Sequence, residues 1–185
     1  MEQTTQMADE RDRALVREYL EGQRDAATGL VDRYHKRLYN LALRLLANAQ
    51  DAEDVIQTVF FNVFEKLRTF DPRYRFFSWI YRMTVNESLN VLKRPSRKRM
   101  MALDDAPDIA APALRSSGAT DARDRIDQAL ARLKPDDRAV VVLKHLEAFS
   151  YEEIADVLGI PVRTVKSRLF TARERLRLTL REQVE

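Results

Sequence analysis

Arg163, Thr164, Lys166, Ser167, Arg168 and Thr171 fall on one side of a predicted helix near the C-terminus. Cations in such a row neutralise phosphates, and guanidinium and hydroxyl groups reach the edges of bases. On the other side Val165, Leu169, Ala172, Leu176 and Leu180 recur at steps of three or four, the spacing of a helix that buries one face. Just upstream, Ser150 and Glu153 have the spacing of a capping box, in which each side chain satisfies the other's backbone amide. Ile154, Ala155 and Leu158 then give a short helix one buried face. Gly159 stands where a tight turn needs positive φ, and Pro161 restarts a helix at its tolerant first turn. Together these are the parts of a helix-turn-helix. An ordinary helical hairpin with a solvated basic face would share the charges. It would not need the capping box, Ala155 four residues before Gly159, and Val165 six residues after it.

Composition narrows the rest. The 185 residues are 45% hydrophobic and 33% charged with only 4 Gly, which favours an all-α protein of one domain or two small ones. The absence of cysteine excludes disulfides and thiolate metal sites. His35 and His145 each stand alone in a helical pattern, and no Gly-rich phosphate loop is present. We therefore expect no catalytic residue, metal site or cofactor, and not an enzyme. The polar, acidic start MEQTTQMADE lacks a signal pattern, and no apolar run approaches a bilayer span, so a soluble cytoplasmic protein is expected. Net charge is only +3, but it is unevenly placed. Lys166, Arg168, Arg173, Arg175 and Arg177 crowd the interval from Arg163 to Arg181, opposed only by Glu174, while acids gather at Asp51–Asp54 and Asp104–Asp108.

The elements that must position these groups follow in order. Periodicity predicts helices from Asp9 to Glu21, ended by Gly22, and from about Asp25 to Ala47. A third opens at Asp51 with acids in its first turn and closes on Lys66 and Arg68, so both ends complement the helix dipole. At 100° per residue its apolar half holds Val55, Ile56, Val59, Phe60, Val63, Phe64 and Leu67. Phe61 stands on the opposite arc, ringed by Asp54, Gln57, Thr58, Asn62 and Glu65, the layout of a binding hot spot with a polar rim. The stretch TFDPRYRFF is a loop at Asp71-Pro72, followed by a helix from Ser78 to about Lys93. That helix carries Tyr81, Val85, Leu89 and Leu92 on one side, and Trp79, Arg82, Asn86, Asn90 and Lys93 in a line on another. With Arg73, Tyr74 and Arg75 ahead of it, this line has what a single-stranded nucleic acid needs: cations, stacking rings and amides. The competing reading is that Trp79 and the loop aromatics cap a helical core. Residues 95–120 have no sustained period and read as a flexible linker. Helices resume near Asp121 and at Pro135–Leu146, so residues 121–185 form a four-helix unit of about 60 residues, near the lower size for independent folding.

Two small helical domains, each with a nucleic-acid face, resemble a bacterial RNA polymerase sigma factor of the extracytoplasmic-function (ECF) group, which keeps the second and fourth conserved regions of the sigma-70 family. The matching stretches are DAEDVIQTVFFNVFEKL, FFSWIYRMTVNESLNVLKR, and LKPDDRAVVVLKHLEAFSYEEIADVLGIPVRTVKSRLFTARERL. The resemblance implies that residues 1–94 form the region 2 domain and 121–185 the region 4 domain. The helix from Asp51, with Asp54, Gln57, Thr58, Phe61, Asn62 and Glu65, would dock on the clamp helices of core RNA polymerase. Arg73, Tyr74, Arg75, Phe76, Phe77, Trp79, Arg82, Asn86, Asn90 and Lys93 would open the minus-ten promoter element, Asn86 matching the position that touches an extruded base. The linker would thread toward the RNA exit path. Arg163, Thr164, Lys166, Ser167, Arg168, Phe170, Thr171 and Arg173 would read the minus-thirty-five element, beside the polymerase flap. Lys166 and Thr171 depart from the arginines common there; lysine cannot make the bidentate fork to guanine. The resemblance also implies an anti-sigma factor as partner, promoter-specific transcription initiation as function, and a stress response as setting. The rival reading is a helix-turn-helix activator or repressor that binds duplex DNA without core polymerase.

Overall fold

The computed structural model describes residues 2–94 and 120–182, and the described residues form eight α-helices and no strand. Helix α1 spans Glu2–Leu20, α2 Arg24–Leu46, α3 Ala49–Lys66 and α4 Phe76–Lys93. The linker expected over residues 95–120 lies, up to residue 119, outside the described part; after it come α5 Thr120–Ala131, α6 Pro135–His145, α7 Tyr151–Leu158 and α8 Val162–Glu182. Gly22, at φ 93°, turns α1 back onto α2. Ala47 takes up a left-handed φ of 51° to end α2, and the Asn48 side chain accepts the Asp51 amide to start α3. Helix α1 begins well ahead of Asp9, and α4 two residues ahead of Ser78, drawing Phe76 and Phe77 into its first turn.

Leu30, Leu38, Leu41 and Leu45 of α2 are fully buried at the centre of the first four helices, against Val55, Val59 and Val63 of α3 and Ile80 and Val85 of α4. In the second four, Val140, Val142 and Leu143 meet Ile154, Val157, Val165 and Leu169. Val157 belongs to this face, whereas Ala155 and Leu158 are only partly buried.

Sequence reasoning treats the two helical units as separate modules; in the structure one hydrophobic cluster runs through both. Helices α6 and α7 lie against α2 and α4. Arg138 of α6, 3% exposed, donates to the carbonyl of Leu45 near the end of α2 and to those of Ala131 and Leu133. The Leu45 carbonyl is among the last four of its helix, which no amide of the same helix can satisfy, and a cation is favoured there. A four-helix unit of about 60 residues buries too little of its own surface to be strongly stable, and packing on its neighbour removes more apolar area from water.

Candidate nucleic-acid and polymerase interfaces

The first surface is the outer side of α3. Ala52, Val55, Ile56, Val59, Phe60 and Val63 turn inward and fix which residues look out. Asp54, Gln57, Thr58 and Glu65 are exposed, Asp51 and Asn62 half-buried, and the Phe61 ring stands 69% exposed among them. Thr58 donates to the carbonyl of Asp54 at 2.9 Å, so its hydroxyl is satisfied within the helix. The arrangement predicted from periodicity is present: one apolar anchor inside a polar rim.

The second surface is the loop after α3 with α4. Asp71 holds Arg73 through Nε and Nη2, at 2.9 and 2.6 Å from one carboxylate oxygen, and this pairing lowers the Asp71 pKa. Tyr74 is 67% exposed. Phe76 is buried, edge-on to Tyr34 and Phe70, and Trp79 packs on Phe70 and Phe76 with centroids 5.1 and 5.7 Å away. These two rings anchor the loop to the helical core, Phe76 buried and Trp79 half-buried. Tyr34, which receives them, is itself fixed: its hydroxyl donates to Asp12, which also takes Arg33 at 2.6 Å. Burial pushes the Tyr34 hydroxyl up, and it raises the Asp12 carboxyl despite these two donors. Arg82, Asn86, Asn90 and Lys93 lie exposed along the outer side of α4.

Arg75 and Phe77 belong to the same surface but are engaged. Arg75 Nε donates to Asp9 of α1 at 2.9 Å, and its Nη1 to Glu153 of α7 at 2.7 Å. Partial burial works against the Arg75 charge, yet the bonds to both carboxylates outweigh it and raise the pKa. The Phe77 ring contacts Tyr81 at 4.5 Å and Phe149 at 5.0 Å.

The third surface is the helix-turn-helix. Both halves of the capping box form: Ser150 accepts the Glu153 amide at 3.1 Å, and Glu153 accepts the Ser150 amide at 2.9 Å. Gly159 is left-handed at φ 64° and closes α7 on the carbonyl of Ala155. The Pro161 carbonyl accepts the amides of Thr164 and Val165 to open α8. With Val165, Leu169 and Ala172 buried, Arg163, Lys166, Ser167, Phe170, Thr171 and Arg173 are exposed, and Thr164 and Arg168 are half-buried.

Several groups that steady this helix escape a reading by motif. Asp136 pairs with Arg168 at 3.3 Å and Asp137 with Arg175 at 3.4 Å, so the acidic start of α6 holds two cations of α8. Lys166 and Lys144 lie 5.6 and 4.7 Å from the Tyr151 ring centroid. Arg173 donates to His145 at 3.3 Å; burial, then Arg173 and Lys144, lower the His145 pKa and keep the ring neutral. In the sequence, the visible signal is Asp136-Asp137 beside Pro135, which reads only as a helix start.

Family models for Sigma-70 region 2 and Sigma-70 region 4 match residues 30–98 and 123–176. The chain is 32% identical over 176 residues to the ECF RNA polymerase sigma-E factor of Escherichia coli K12, spanning 88% of this chain and 91% of that protein. The chain belongs to the ECF sigma factors. The RNA polymerase sigma-H factor of Pseudomonas aeruginosa is 33% identical over 180 residues, spanning 91% of this chain and 93% of that protein. Among solved structures, CnrH in complex with the cytosolic domain of CnrY superposes with a TM-score of 0.70 at 26% identity, over 93% of this chain and 98% of that one. The sigma factor RpoE of Bartonella quintana, solved with the anti-sigma factor NepR, gives 0.64 at 25% identity, over 83% of this chain and 96% of that one. As an ECF sigma factor the chain is an alternative sigma factor that directs promoter-specific transcription initiation, in a family of initiation factors rather than enzymes. No helix among the described residues is long and apolar enough to cross a membrane.

Proposed function

We propose that this sigma factor acts in the cytoplasm, has no catalytic activity of its own, and divides its work among the three surfaces. Residues 1–94 dock on core RNA polymerase and open the minus-ten element, 95–120 link the two units, and 121–185 read the minus-thirty-five element. The α3 face centred on Phe61 takes the clamp helices of the largest subunit. Arg73, Tyr74 and Arg75 of the loop, with Arg82, Asn86, Asn90 and Lys93 of α4, hold the separated strand, Asn86 touching the extruded base. The outer side of α8 enters the major groove beside the polymerase flap. An anti-sigma factor restrains the chain until a stress signal releases it; of the proteins similar in fold, CnrH was solved with the cytosolic domain of CnrY and RpoE with the anti-sigma factor NepR.

The observation that carries this reading is Phe61, 69% exposed while the helix's other apolar side chains turn inward, and ringed by hydrogen-bonding groups. A regulator that bound duplex DNA alone would have no use for it. Purified chain is tested with and without core polymerase on promoter fragments, by runoff transcription and gel shift. Promoter-specific binding that depends on core supports the proposal; a shift of duplex DNA by the chain alone, unchanged by core, overturns it.

A further inference from the structure

The turn from α6 into α7 covers part of the surface assigned above to the minus-ten strand. Glu153 holds Arg75, and Glu147 accepts the Tyr81 hydroxyl at 3.1 Å and lies 3.8 Å from Arg44. Between them the Phe149 ring sits against Phe77 and Tyr81, each centroid 5.0 Å away, and is 2% exposed. Ala148, at a left-handed φ of 58°, separates Glu147 from Phe149. The turn and the first turn of α7 thus present two anionic groups and a flat ring to an arginine and two aromatic rings. A single strand of DNA offers that surface the same chemistry: phosphates for the cation and a base face for the rings.

We infer that this turn is an internal substitute for the promoter strand, so that the C-terminal unit and single-stranded DNA compete for one surface. The inference rests on the minus-ten reading of that surface. In the closed chain Arg75 has one carboxylate from its own unit, Asp9, and one from the other, Glu153; parting the units removes only the second. The vacated Nη1 then faces an anion's place. Beside these contacts lies a cleft of about 560 Å³, lined in part by Asp9, Arg37, Arg75, Glu147 and Glu153, so salt and solvent reach the ionic contacts. The device leaves the free chain a poor ligand for single strands and makes separation of the two units a condition of engaging them.

The test uses the full chain, whose lack of cysteine allows D32C and R181C to carry a dye pair reporting the separation of the units. Binding of a fluorescein-labelled oligothymidylate of about twelve nucleotides is followed by anisotropy at low salt. E147Q/E153Q removes both charges while glutamine still serves the capping box. F149L keeps an apolar filler and loses the flat ring. The inference expects E147Q/E153Q to move the dyes apart and to tighten oligonucleotide binding about fivefold, the size of losing two half-exposed ionic contacts. F149L should tighten it about twofold, and adding R75A to E147Q/E153Q should cancel the gain. Unchanged dye separation and affinity would overturn the inference; if R75A alone still weakens binding, the minus-ten reading survives. If the dyes separate but no variant gains affinity, the uncovered surface is not a strand-binding one, and both fall together.

Discussion

Replacing Arg138 with leucine removes a side chain that joins α6 to the end of α2 and to the α5–α6 turn at once. Three carbonyls, of Leu45, Ala131 and Leu133, lose a charged donor at a position 3% exposed. Each such bond contributes about 1–2 kcal/mol, and stranded buried carbonyls add to the penalty, so R138L should cost about 3–5 kcal/mol. Lysine retains the charge but not the fork, and R138K should cost roughly half as much. With a urea dependence of about 2 kcal/mol per M, R138L lowers the unfolding midpoint by about 2 M. Two signals separate the effect by location. Far-UV circular dichroism follows every helix, whereas the single tryptophan, Trp79, reports the aromatic cluster of Phe70 and Phe76 in the first unit. In the parent chain the two transitions should coincide; in R138L the helical signal should fall first, because α5 to α8 lose their hold on α2. A midpoint within about 0.3 M of the parent, with coincident transitions, would refute the assignment of Arg138 as the joint between the units.

F61A combined with Q57A should weaken association with core polymerase by about 2–3 kcal/mol without changing the melting temperature, as measured by competition for labelled core. N86A should leave closed-complex formation intact and slow opening about tenfold, read from permanganate reactivity of unpaired thymines. R168A should cost about 1–3 kcal/mol at the upstream element and relax preference at one base pair in a binding selection; an equal loss on every sequence would reduce its role to phosphate contact. His145 has a lowered pKa in the folded chain, so the unfolded chain takes up the proton first and stability falls as pH drops through about 6.5. Glu153, also lowered although burial alone would raise it, contributes stability at neutral pH that is lost only further into the acid range. H145Q should therefore flatten the decline in melting temperature between about pH 7.5 and 5.5, leaving the acid limb in place.

Local pattern made the helix-turn-helix and the α3 face legible, because both depend on short-range chemistry. The capping box spans four residues, Gly159 needs only its own φ, and Phe61 is out of phase with the apolar half of one helix. For Trp79 the sequence left two readings open, and its packing on Phe70 agrees with the core-capping one: α4 starts at Phe76, and side chains in a first turn lean back toward the N-terminus. Arg138 next to AVVVL looks like a solvated charge; its burial depends in part on a carbonyl supplied by a helix ninety-three positions earlier in the chain. The seam between the units was illegible for the same reason. Glu147, Phe149 and Asp9 carry no motif, and their roles follow from which surfaces two helical units turn toward each other.

Asp9 and Arg75 travel on the same unit, whatever the other unit does. A free arginine loses about 2 kcal/mol of rotamer freedom when a ligand immobilises it. Here much of that ordering is incurred during folding, so on the proposed minus-ten role a phosphate would meet a guanidinium whose direction is already set, and less of the contact energy would be consumed in holding it still.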